Sequence, residues 1–129
     1  MKIQKLSLLT FLIVAFVACK DDEGTPTCTQ SDWVGTYEGT TDCGGSTEDV
    51  TVTIVASGAD SIVVQYATAT LTTTYDPIKP TNCTINESGT DAGITFTVDA
   101  TLDGDELTIK ETLVGGGVNF TCDLTADRK

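Results

Sequence analysis

The chain has 129 residues, enough for one small domain and too few for two. Its 7 basic and 19 acidic side chains leave a formal charge of −12, so duplex nucleic acid and anionic lipid headgroups are repelled rather than bound. The absence of histidine excludes His-based acid–base chemistry, Ser-His-Asp triads and histidine metal sites, and no cofactor is expected.

The N-terminus has a short basic stretch with Lys2 and Lys5, then a nearly unbroken apolar run from Leu6 to Ala18 that stops at Cys19. This reads as an export signal over residues 1–18. As a helix the run would span only about 20 Å, less than the ~30 Å hydrocarbon core, so a permanent transmembrane helix is not expected. Phe16 to Cys19 resembles a bacterial lipobox, with small Ala18 before the cut and Phe16 in place of the usual leucine. The resemblance implies cleavage before Cys19, acylation of that cysteine and a membrane anchor to which each buried methylene adds ~0.8 kcal/mol. An ordinary secretory signal cut elsewhere is the alternative. Loss of residues 1–18 would leave 111 residues with a charge of −14, since Lys2 and Lys5 go with the signal. Lys20-Asp21-Asp22-Glu23 resembles the surface-export signal of Bacteroidota lipoproteins, which implies an outer-membrane, cell-surface location; in other Gram-negative groups an Asp beside that cysteine implies inner-membrane retention instead. Residues 19–27, with Gly24 and Pro26, read as the lipidated cysteine and a polar tether, and residues 28–129 as the folded domain.

With Cys19 set aside, Cys28, Cys43, Cys83 and Cys122 are an even set in an oxidising compartment, which predicts two disulfides. No pair has C-x-x-C spacing, so a zinc site is not expected. Each bridge would contribute typically ~2–4 kcal/mol to a domain of this size.

From Trp33 onward, apolar residues alternate with polar ones at period two, the mark of antiparallel strands with one buried and one wet face. Val50, Val52 and Ile54 share a face against Thr51 and Thr53. Ile62, Val64 and Tyr66 follow, then Leu71, Thr73 and Tyr75. Ile94, Phe96, Val98, Ala100 and Leu102 oppose Thr95, Thr97, Asp99 and Thr101. Leu107, Ile109 and Leu113 repeat the pattern, and Val118, Phe120, Cys122 and Leu124 end it. No stretch beyond the signal has helical period. Ser57 to Asp60, Asp103-Gly104-Asp105 and Gly115 to Gly117 read as hairpin turns, whereas Asp76 to Thr81, with Pro77 and Pro80, reads as a stiffer crossing. The expectation is an all-β domain of about eight antiparallel strands in an up-and-down barrel, with a β-sandwich as the alternative.

Trp33, Gly35 and Tyr37 resemble the Trp-x-Gly-x-Tyr opening of lipocalin-like and avidin-like barrels, and the whole pattern is similar to small lipocalin-like lipoproteins of Bacteroidota. A core tryptophan at the start of a sandwich is the competing reading. The resemblance implies a small apolar ligand in the barrel mouth, with Trp33, Tyr37, Tyr66 and Glu111 as candidate contacts. If the barrel closes, its last strand meets its first, and the inward phase of Cys43 and Cys122 allows a bridge across that seam, leaving Cys28 for Cys83. Pairing Cys28 with Cys43 and Cys83 with Cys122 remains open.

An eight-stranded barrel is just wide enough for its own side chains to fill, and the inward set is bulky, so a solid core is expected. Glu111 falls in the inward phase between Ile109 and Leu113, where an unpaired carboxylate would cost several kcal/mol. A β-bulge or an exposed strand end is expected to turn it to solvent; otherwise it marks a polar point in a pocket, paired with the neighbours of Lys110 or with a ligand cation. Asp103 to Glu106 lacks calcium-loop spacing, and no pair of carboxylates suggests a glycosidase, so enzymatic activity is not expected. Asp60-Ser61-Ile62 matches a bacterial O-glycosylation tripeptide, which makes Ser61 a candidate acceptor. Two functions stay in view. One is a surface-displayed binding module for a small molecule, glycan or protein; the other is an accessory lipoprotein with a filled barrel and no ligand of its own. An apolar cavity open at one end favours the first.

Overall fold

The computed structural model describes residues 26–129. The export signal, Cys19 and the Lys20 to Glu23 motif lie outside the described residues. A short helix, α1 (Gln30–Trp33), leads into eight strands: β1 (Gly35–Cys43), β2 (Ser46–Ser57), β3 (Ser61–Ala67), β4 (Thr72–Thr74), β5 (Thr84–Asp91), β6 (Ile94–Asp103), β7 (Glu106–Gly115) and β8 (Val118–Arg128). All pair antiparallel in one sheet of order β4-β3-β2-β1-β8-β7-β6-β5. The sheet curls strongly into a half-barrel, so the all-β, antiparallel class expected from the alternation holds, consistent with the lipocalin-like barrel that the resemblance implies.

The ends of this sheet are informative. The first and last strands join, whereas β4 and β5 do not pair and form the two edges. The proline-bearing crossing between them folds back on β3, where Ile62 and Ile78 exchange backbone hydrogen bonds of 2.7 and 2.9 Å. Proline lacks the amide that a ladder needs, which fits Pro77 and Pro80 falling where the hydrogen-bonded ring is broken. At the β1–β8 seam, Gly39 stands opposite Ala126, and a Cβ at Gly39 would collide with the Thr125 carbonyl. Glycine there lets the two strands approach.

The strand starting at Trp33 needs correcting. Trp33 ends α1 rather than opening a strand, and the expectation of no helix fails for these four residues. The cause is local: the Asp32 carboxylate accepts from the Thr29 amide at 2.6 Å and from the Thr29 hydroxyl at 2.8 Å, which closes one helical turn. Those same bonds hold the Asp32 carboxyl below its ordinary pKa. The turn places Trp33 across the end of the half-barrel, fully buried, with its indole Nε1 donating to the Asn82 carbonyl at 3.0 Å.

The core lies at this closed end, where Trp33 and Tyr37 pack with Val52, Ile54, Ile62, Leu102, Leu107 and Ala126. Arg128, near the C-terminus, fastens it. Its guanidinium lies 4.8 Å from the Tyr37 ring centroid, donates to the Val34 carbonyl at 2.6 Å and to the Asp32 carbonyl, and pairs with Asp105 at 3.1 Å. Gly35 makes room for this side chain, because a Cβ there would lie 2.6 Å from an Arg128 nitrogen. Tyr37 in turn donates its hydroxyl to the Trp33 carbonyl at 2.9 Å, and burial pushes its phenol pKa up.

Both disulfides form, as Cys28–Cys83 and Cys43–Cys122, and the alternative pairing is excluded. Cys43 and Cys122 face each other in register across the seam, with Cα atoms 4.2 Å apart. Cys28–Cys83 ties the segment before α1 to the segment before β5, at the closed end.

Candidate functional site

The opposite end of the half-barrel is open. Inward positions that the sequence marks as core are partly exposed there: Phe96 and Phe120 are each 42% accessible and Leu71 53%. Their phase is right, since Phe120 faces the interior and Phe96 lies over Gly89, where a Cβ would strike its ring. What is missing is a wall opposite them. β4 has only three residues, and Leu71 falls in the turn before it rather than in a strand.

The expectation of a solid interior is therefore overturned for this half of the molecule. A cavity of about 460 Å3 lies within it, lined by apolar atoms of Leu71, Ile109, Leu113, Phe120 and Leu124 together with Tyr66, Thr41, Thr70, Glu48, Glu111 and the Cys43–Cys122 bridge. That volume is in the range of small-molecule sites, roughly 300–1,000 Å3.

Glu111 is the polar centre of this cavity. No bulge turns it out, because β7 pairs without interruption with both β6 and β8, and the expected escape to solvent does not occur. On the inner wall it stands between Val98 and Cys122. Its Oε2 accepts from the Tyr66 hydroxyl at 3.2 Å, while Oε1 is buried and receives no hydrogen bond from any described residue. Burial raises the Glu111 pKa above its ordinary value, and the Tyr66 hydrogen bond opposes that rise only in part. Burial likewise pushes the Tyr66 phenol up. Tyr66 is further held by Tyr75, with ring centroids 6.0 Å apart.

Of the four expected contact residues, Tyr66 and Glu111 are brought together, whereas Trp33 and Tyr37 are walled off in the core at the other end. Ser61 begins β3 at the closed end. Its hydroxyl lies 3.4 Å from Asp60, its carbonyl accepts from Gln30 at 2.6 Å, and it has no part in the cavity. Glu48 and Thr41 were not anticipated. The Thr70 hydroxyl donates to Glu48 at 3.1 and 3.3 Å, and Glu48 stands opposite Thr41 in the β1–β2 ladder. Carrying the alternation of Val50, Val52 and Ile54 back by two residues would have found Glu48. The chain matches no protein-family model, curated protein or solved structure, so this geometry is what bears on function.

Proposed function

We propose that this chain is an outer-membrane lipoprotein, anchored through acyl groups on Cys19 and displayed at the cell surface, whose half-barrel binds a small molecule with an apolar body in its open end. The observation that carries the binding reading is the cavity: about 460 Å3, walled largely by apolar side chains and open at one end. A filled barrel would have favoured an accessory role. The direction of the chain supports the same picture. The segment with Thr29 leads into α1 at the closed end, and the cavity lies at the other end of β1. The described chain thus enters the domain at the end away from the mouth, which leaves the mouth clear of the entry segment. The role is binding rather than catalysis.

Titration with N-phenylnaphthylamine, a neutral apolar dye whose emission rises in apolar surroundings, tests the binding reading. Saturable enhancement at one site per chain is expected, abolished by Leu113→Trp, which fills the cavity. Absence of enhancement, or enhancement that survives Leu113→Trp, contradicts it. For the anchor, metabolic labelling with palmitate in the native host should be lost on Cys19→Ser.

A further inference from the structure

Resting on the reading that the open end takes an apolar guest, we infer that the guest is a cation: an amine whose ammonium group pairs with Glu111 while its hydrocarbon body lies against Leu113, Phe120 and Leu124. Three observations converge on this. An ionised carboxylate offers about four acceptor positions and no donor, and Glu111 has a single described partner, Tyr66 on Oε2, with the other oxygen buried and unpaired. The second charged group lining the cavity, Glu48, is also acidic, and among the described residues neither Lys nor Arg lines it. Finally, the chain carries a net charge of −12, which steers cations rather than anions towards any opening.

The electrostatics then select by sign. Leaving a carboxylate in an apolar wall is unfavourable, and a hydrogen-bonded ammonium offsets that cost. A carboxylated ligand such as a fatty acid would bring a like charge beside Glu111, so one of the two would have to take up a proton. A neutral alcohol falls between these cases, because its hydroxyl can donate to Oε1 without supplying charge.

Competition against bound N-phenylnaphthylamine with octylamine, octanol and octanoate, which share one tail, separates the possibilities in the disulfide-bonded chain. Octylamine should displace the dye at about tenfold lower concentration than octanoate, with octanol between them. In Glu111→Gln, octylamine should lose its advantage over octanol, a ratio taken within one variant and so independent of that variant's overall stability. Octanoate equal to or better than octylamine overturns the inference while leaving the apolar-guest reading standing, as does an amine advantage that persists in Glu111→Gln. Failure of all three to displace the dye removes the inference together with the reading beneath it.

Discussion

The Tyr66 hydroxyl donates to Glu111 Oε2 at 3.2 Å across the interior of the sheet, from β3 to β7, strands separated in the sheet order by β2, β1 and β8. This bond joins the two walls of the cavity through side chains alone. It satisfies one oxygen of a carboxylate that burial holds in an unfavourable setting, while the other accepts from no described residue.

A pH dependence follows, and its sign is fixed by the direction of the shift. The folded chain holds the Glu111 proton more tightly than the unfolded chain, whose value is about 4.3. As pH rises past that point the unfolded state loses this proton first, so the contribution of Glu111 to stability falls until the folded-state pKa is passed and is constant above it. Glu111→Gln should therefore raise the urea midpoint relative to the parent at about pH 8, with the gap closing towards about pH 4. A gap that does not vary with pH would show that the carboxylate is not ionising in a desolvated place.

At the closed end, Trp33 contributes both volume and a hydrogen bond. Trp33→Ala should cost ~3–5 kcal/mol, because a fully buried ring leaves a void that strands on both sides cannot fill. Trp33→Phe keeps most of the ring but leaves the Asn82 carbonyl without its indole partner, for ~1–2 kcal/mol. Equilibrium urea denaturation measures both. Near-equal losses would mean that the hydrogen bond, not the packing, dominates.

Arg128→Lys should behave as a disruptive change despite keeping the charge. A single ammonium cannot reach the Val34 and Asp32 carbonyls and Asp105 at once while stacking on Tyr37. A loss of ~1–3 kcal/mol is expected for Arg128→Lys, close to that of Arg128→Ala, by thermal or urea unfolding. A lysine variant as stable as the parent would reduce the latch to simple charge pairing.

The two bridges should differ in what their removal does. Replacing Cys28 and Cys83 by Ser frees the segment before α1 and lowers stability by ~2–4 kcal/mol, with the cavity untouched. Replacing Cys43 and Cys122 removes two groups that line the cavity and loosens the β1–β8 seam at its open end, so dye binding should weaken as well as stability. Equal effects on dye binding from the two pairs would argue that the seam bridge has no part in shaping the cavity.

Much of this architecture is legible in the sequence because period-two alternation assigns each side chain to a face; that assignment holds along β2, β3, β6, β7 and β8, including the inward phase of Glu111, and fails at Leu71 and Tyr75, which lie outside the three-residue β4. The seam bridge follows from the same phase once β1 and β8 meet. The strand β5 is not legible, since Thr84 to Asp91 contains Ile85 as its one large apolar residue. Nor is α1, a single turn set by Thr29 and Asp32 and too short to show a period. The cavity escapes for a different reason. Alternation says that Phe96 and Phe120 point inward, but not whether anything stands opposite them, and the shortness of β4 decides that. Tyr66 and Glu111, 45 residues apart, could be paired only once the curl of the sheet was known.

Backbone amide chemical shifts recorded while N-phenylnaphthylamine is titrated into the isotope-labelled chain test the central claim most directly. A guest in the open end should perturb Thr41, Tyr66, Glu111, Leu113 and Phe120, while the Trp33 indole N–H, held by Asn82 in the closed end, stays in place. Shifts gathered instead on the outward residues Thr51, Thr101 and Asp123, or around Trp33 with the open end silent, would contradict it.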